Sequence, residues 1–173
     1  MSSRTTLEIK ELSKPIQLST EDCHQWMSRL IRRAKKIGLL GEVPVSAVII
    51  DNKGRCIGYG NNHRERTKDP LGHAEIIALR QAALIKNDWR FNDCTLIVTL
   101  EPCQMCAGAL IQARMGQVIF GTSDFKRGAL GGSLDLSTHE SAHHYMIVKG
   151  GVMAKEAKKE LVEWFKLKRK MYL

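Results

Sequence analysis

The chain has 173 residues, a formal net charge of +9 and a pI near 9.5, with 43% hydrophobic and 26% charged residues. This composition excludes an intrinsically disordered chain, and the length suits one compact domain with a sizeable core. No apolar run approaches the ~18 to 20 residues that a membrane-spanning helix requires, and the N-terminal residues lack the apolar segment of a secretory signal. The sequence therefore predicts a soluble, cytoplasmic protein with no membrane partner.

Positive charge is concentrated towards the C-terminus. Residues 154–173 hold seven basic and three acidic side chains and so carry +4 of the net +9. A pI above 9 fits a nucleic-acid partner, although a basic surface that contacts only solvent explains it equally well. Charge alone therefore leaves the partner open.

A polar N-terminal segment precedes the first predicted element. Residues 1–18 are interrupted by Pro15 and predict a mobile arm, followed by a single domain over 19–173. The polar residues at 19–22 are typical of a helix start, and apolar residues follow them at helical spacing. Glycines at 38 and 41 predict the end of this helix.

Strands and helices then alternate along the chain. A turn at 51–54 joins the first two strands into a hairpin. Periodicity predicts strands at 45–50, 55–60, 95–99, 117–122 and 145–149, and helices at 74–87, 103–114 and 154–170. This order predicts an α/β fold in three layers, with a helix-covered and mostly parallel sheet.

Three residues have the types and spacing of a zinc site. Cys103 and Cys106 lie three residues apart at the start of a predicted helix, so their sulfurs share one face. Pro102 is favoured at helix starts, where the helix dipole lowers the thiol pKa and favours the thiolate that binds metals. His73 precedes another predicted helix. Two sulfurs and one imidazole suit tetrahedral zinc, with the fourth position left for water.

Glu75 adds a feature that a purely structural zinc site would lack. It lies two residues after His73, and residues two apart on a helix do not face the same way. We therefore expect its carboxylate beside the bound water rather than on the metal. A carboxylate in that position is a candidate proton shuttle.

The pattern is more specific than its parts. A lone Cys-x-x-Cys is also typical of two core thiols or a redox pair. Here His73-x-Glu75 is followed by Pro102-Cys103-x-x-Cys106, and this combination matches the signature of the zinc-dependent nucleobase deaminases. The other cysteines, Cys23, Cys56 and Cys94, are expected to be buried thiols without a metal role.

The chain resembles the bacterial tRNA-specific adenosine deaminases most closely over 42–49, 73–84, 98–114 and 118–132. The resemblance extends over about 20–170 without large gaps. It implies a cytidine-deaminase-like α/β/α sandwich around a mixed five-stranded sheet, a homodimer, and one Zn2+ per subunit. The implied reaction is hydrolytic deamination of the wobble adenosine (position 34) to inosine in a tRNA anticodon stem-loop, with an arginine tRNA (tRNA-Arg) as the expected substrate.

Site residues follow from the resemblance by position. It assigns zinc ligation to His73, Cys103 and Cys106, the general acid/base role to Glu75, and contact with the substrate base to Asn62. Water activated by zinc is expected to attack the ring carbon that bears the amine. Glu75 is expected to carry protons to the adjacent ring nitrogen and to the departing ammonia.

RNA contacts are implied for the loop after the fourth strand and for the last helix. The resemblance assigns them to Asp124, Lys126, Phe165, Lys168 and Arg169. Ser123 and Phe125 depart from the residues that the resemblance leads us to expect at their positions in this loop, and the resemblance implies that the loop contacts nucleotides flanking the target.

Two other functions stay open at the level of sequence. Small-molecule deaminases that act on guanine, cytosine or a nucleoside share the catalytic motif, although a free base needs no basic tail. A non-catalytic protein with a structural zinc ion would not need Glu75.

Overall fold

Helices cover both faces of a five-stranded sheet in the computed structural model, which describes residues 14–171. The helices are α1 (Thr20–Leu39), α2 (Arg64–Thr67), α3 (Ala74–Lys86), α4 (Gln104–Gln112) and α5 (Ala154–Met171). The strands are β1 (Ser46–Ile50), β2 (Cys56–Asn61), β3 (Thr95–Leu100), β4 (Gln117–Thr122) and β5 (Ile147–Lys149). The predicted three-layer α/β/α architecture is confirmed. Over 14–171, the structure contains no helix with the length and hydrophobicity that crossing a bilayer requires.

The strand order is β2-β1-β3-β4-β5. Strand β1 pairs antiparallel with both β2 and β3, whereas β3–β4 and β4–β5 are parallel. Four of the five described strands run in the same direction, as predicted for a mostly parallel sheet that opens with a hairpin, but only two of the four strand pairings are parallel. The mixed sheet implied by the resemblance is confirmed. Since β2 and β3 run in the same direction, α3 is a crossover between them, as its place in the sequence suggests. Alternation along the chain does not reveal that β1 lies between these two strands.

Helix α3 packs very closely against β2. A Cβ atom on Gly58 would collide with the carbonyl oxygen of Ala78, and one on Gly60 with that of Ala74. The two glycines therefore let the helix backbone approach the strand, and small buried residues on α3 complete the contact. This packing places the N-terminus of α3 beside the carboxyl end of β2.

Helices α1 and α5 form the opposite layer. The predicted helix start is confirmed, because Ser19 caps α1 and exchanges hydrogen bonds with Asp22 in a capping box. Near the other end of α1, the Trp164 indole of α5 donates a hydrogen bond of 3.0 Å to the Gly38 carbonyl. This contact holds the C-terminal half of α5 beside the end of α1.

The predicted arm over 1–18 falls mostly outside the described residues. Of its described part, Ile16 and Leu18 are partly buried and pack against the core beneath α1.

Candidate active site

The carboxyl ends of three strands and the N-termini of two helices meet at one edge of the sheet. Strands β2, β3 and β4 run in the same direction and end there, which is where ligands bind in open α/β sheets. His73 is the N-cap residue of α3 and Cys103 that of α4, and neither side chain caps its own helix. Both side chains are therefore free to bind a ligand.

His73, Cys103 and Cys106 form a compact set of metal-binding atoms. The Nδ1 atom of His73 lies 3.6 Å from the Cys103 sulfur and 3.5 Å from the Cys106 sulfur. Zinc bonds of about 2.3 Å to sulfur and about 2.1 Å to nitrogen, at a tetrahedral angle, separate these atoms by about 3.6 Å. The donor set therefore fits zinc. No fourth histidine, cysteine or carboxylate within 14–171 joins the group.

Without a cation, the two thiols behave as a coupled pair. The hydrogen bond from Cys106, opposed by burial and assisted by His73, lowers the pKa of Cys103 to about 4. The same hydrogen bond raises the pKa of Cys106, and burial raises it too. The bond to Cys103 also raises the pKa of His73. Cys103 is therefore the thiolate of the pair and Cys106 keeps its proton, which a divalent cation would displace.

Glu75 is buried beside this centre. Its side chain is 4% exposed, and burial raises its pKa to about 7. It lines the same cavity as His73 and Cys103 but does not belong to the metal-binding group. A carboxyl group with a pKa near neutrality can both accept and release a proton under ordinary conditions.

The centre opens into a cavity of about 770 Å³, within the roughly 300–1,000 Å³ range of ligand sites. Apolar side chains from several elements form much of its wall. The predicted contact residues that line it are Asn62, Asp124, Lys126, Phe165 and Arg169. Lys168 does not line it. Its ammonium group lies over the ring of Trp164, 5.4 Å from the ring centre. Cys106 is fully buried behind the wall.

Asn62 joins β2 to the N-terminus of α3. Its Oδ1 atom accepts a hydrogen bond of 2.9 Å from the backbone N–H of Ala74, the first residue of that helix. Its Nδ2 atom forms no hydrogen bond with the part of the chain that the structure describes. That amide group is therefore available to a ligand in the cavity.

Sequence reasoning missed Glu101, which organises the loop after β4. Its buried carboxylate accepts hydrogen bonds from the backbone N–H groups of Asp124 (2.9 Å), Leu130 (2.9 Å) and Gly132 (2.8 Å). The only feature of the sequence that could have drawn attention to Glu101 is its position between a strand and the Pro-Cys motif. The three donors lie far ahead in the chain, so spacing alone could not reveal the contact.

A second buried carboxylate, Glu42, holds the segment at the start of α2. It accepts hydrogen bonds from the backbone N–H groups of Glu65 (3.1 Å) and Arg66 (2.8 Å) at the start of α2. Three cations that line the cavity were also missed: Arg64, Arg127 and Lys158. They come from three separate segments, and only folding brings them together.

One of the expected buried thiols differs from its prediction. Cys23 and Cys94 are buried, but Cys56 is exposed, because it begins the edge strand β2. None of these three thiols joins the metal-binding group among the described residues.

Comparison with known proteins agrees with this geometry. The family model for the cytidine and deoxycytidylate deaminase zinc-binding region matches residues 20–122. The chain therefore belongs to this family of zinc-dependent deaminases.

The names of individual relatives are more specific than the name of the family. The tRNA-specific adenosine deaminase of Haemophilus influenzae is 39% identical over 153 residues, which cover 88% of each protein. The tRNA(Ile)-lysidine synthase of Deinococcus radiodurans is 40% identical over 151 residues, and the chain spans about a quarter (25%) of its length. A structure from studies of A-to-I editing by tRNA:A34 deaminases at the wobble position of transfer RNA has a TM-score of 0.74 at 32% identity. That match covers 79% of this chain and 99% of the other.

Proposed function

We propose that this protein hydrolyses the 6-amino group of the wobble adenosine in tRNA anticodons, leaving inosine. The observation that carries the proposal is the three-ligand centre with Glu75 beside it, opening into a cavity with a cationic and aromatic rim. A base that reaches the centre must first leave its stack. Anticodon loops present unpaired bases, and RNA-binding proteins commonly recognise such loops.

The chemistry divides between the metal and this chain. Zinc held by His73, Cys103 and Cys106 would supply a Lewis acid and acidify a water molecule. Glu75 accepts a proton from the water, whose oxygen then bonds to the ring carbon that bears the amine, and gives that proton to the adjacent ring nitrogen. It then moves the hydroxyl proton to the amine, which leaves as ammonia while the carbonyl of inosine forms. The Asn62 amide donates a hydrogen bond that orients the base.

The rim binds the nucleotides around the target. Lys126 and Arg169 contact phosphates, Phe165 stacks on a base, and Asp124 orders the loop that carries Lys126 by accepting its backbone N–H at 2.9 Å. Lys168 contacts RNA from outside the cavity, beside Trp164.

The proposal includes a cytoplasmic homodimer that acts on an arginine tRNA. Sedimentation velocity of the zinc-loaded protein tests the dimer, and cell fractionation tests the location. A panel of tRNAs that carry adenosine at the wobble position tests the preference for tRNA-Arg.

The direct test compares substrates. We expect zinc-loaded protein to form inosine in an anticodon stem-loop RNA with adenosine at the wobble position, as measured by mass spectrometry of the nucleosides. The same RNA with guanosine or cytidine at that position should not be deaminated. Faster ammonia release from free guanine, cytosine or adenosine than from the RNA would instead assign the protein to small-molecule deamination.

A further inference from the structure

Phe125 is an unusually exposed aromatic residue at the mouth of the cavity. Its side chain is 79% exposed and lines the cavity wall. Burying a phenylalanine side chain stabilises a protein by roughly 1.5–3 kcal/mol, and here folding forgoes most of that contribution. Its position at the mouth therefore indicates a ligand that covers it.

The loop around Phe125 is held firmly. Glu101 accepts the backbone N–H of Asp124, while the Asp124 side chain accepts those of Lys126 at 2.9 Å and Arg127 at 3.1 Å. The carbonyl of Asp124 accepts the N–H of Gly128 at 2.8 Å. These bonds bracket Phe125 on both sides, so the ring is presented by an ordered backbone.

The surroundings of Phe125 suit a nucleic acid. Lys126 and Arg127 follow it directly, and both are exposed. To the same cavity, α5 contributes a second exposed ring, Phe165, together with the cation Arg169. Aromatic rings interleaved with cations bind single-stranded nucleic acids by stacking on bases and contacting phosphates.

We propose that Phe125 is a stacking platform for an unpaired base next to the target adenosine, and so a specificity-determining residue for this chain. The inference rests on the proposed function, because it presupposes an RNA loop at the cavity. Stacking requires a flat π face. A residue that only fills space would not provide it.

Binding measurements test the platform directly. The dissociation constant (Kd) of the zinc-loaded protein for the wobble-adenosine stem-loop is measured by fluorescence anisotropy in a Glu75→Gln background, so that the RNA is not consumed. We expect Phe125→Ala to raise Kd roughly 5- to 150-fold, as the loss of one stacked base predicts. Phe125→Trp keeps a π face and should stay within about threefold. Phe125→Leu keeps apolar volume without that face and should resemble Phe125→Ala.

Abasic RNAs identify the partner of the ring. Two further stem-loops carry an abasic nucleotide on the 5′ or on the 3′ side of the target adenosine. If Phe125 stacks on one of these bases, the penalty of Phe125→Ala disappears with that abasic RNA and persists with the other. A penalty that persists with both RNAs, or no penalty on the intact RNA, overturns the proposal.

Controls separate stacking from other roles. Tyr145 is 68% exposed but does not line the cavity, and Tyr145→Ala should leave Kd unchanged. A shift in oligomeric state caused by Phe125→Ala would show that the ring packs against a second copy of the chain, and would overturn the proposal. Inosine formation by the wild-type protein tests the proposed function separately, so the two failures are distinguishable.

Discussion

Glu75 is the side chain on which the proposed proton transfers depend. Glu75→Gln keeps the shape of the side chain but removes its ability to accept a proton. We expect inosine formation to fall about 10²- to 10⁴-fold, the usual contribution of a general acid/base. Zinc content and circular dichroism should stay unchanged.

A matched control for this variant is Glu140→Gln, which alters an exposed carboxylate outside the cavity. It should keep wild-type activity. Turnover by Glu75→Gln at the wild-type rate would refute the shuttle role.

Cys103 is expected to hold the metal through its sulfur. Cys103→Ala leaves only two ligands among the described residues, so the purified protein should contain far less than one zinc per chain by elemental analysis. Cys56→Ala removes an exposed thiol outside the group and should retain full zinc. Full zinc content in Cys103→Ala would show that a different set of atoms holds the ion.

At the scale of elements, the β1–β2 hairpin depends on Asp51. Its carboxylate accepts hydrogen bonds of 2.9 Å from the backbone N–H groups of Lys53 and Arg55, and of 2.8 Å from the Arg55 guanidinium. Burial opposes ionisation, but these bonds outweigh it and lower the pKa of Asp51 below 3.8. Because folding favours the carboxylate, its stabilising contribution is complete above that pH and disappears as pH falls through the lowered pKa.

Asp51→Asn should therefore destabilise the protein in a pH-dependent way. We expect the free energy of unfolding, measured by urea titration near neutral pH, to fall by about 1–3 kcal/mol because backbone donors lose a charged acceptor. The difference from wild type should shrink as pH falls through and below 3.8. A difference that does not change with pH would show that the charge contributes nothing.

At the scale of the whole molecule, the net charge is +9, and several of the cations that contribute to it line the rim of the cavity. We expect RNA affinity to fall linearly with salt on a double-logarithmic plot, since bound cations release counterions from the phosphates. Lys158→Ala and Arg169→Ala should each reduce the slope by about 0.7.

Lys53→Ala is the matched control for the salt titration. Lys53 is exposed in the β1–β2 turn, outside the cavity, so its substitution should leave the slope unchanged. Equal effects of all three substitutions would indicate a diffuse electrostatic attraction rather than a defined path for the RNA.

Local sequence patterns predicted most of the elements and the candidate metal-binding group. The spacing within His73-x-Glu75 and within Cys103-x-x-Cys106 is a short-range property, whereas the pairing of the two motifs was predicted from their match to the deaminase signature. The strands and the capping box at Ser19 were predictable for the same reason. Over such short separations, the geometry of the backbone leaves few alternatives.

Tertiary structure alone decided the order of the strands and the composition of the cavity. Three features depend on contacts between distant segments. Strand β1 lies between β2 and β3, Glu101 holds the loop that contains Phe125, and Lys168 lies beside Trp164. Such contacts depend on how layers pack, and many pairings are compatible with one hydrophobic pattern. The candidate metal-binding group and Glu75 could therefore be predicted from the sequence, whereas the lining of the cavity beside them became visible only in the folded chain.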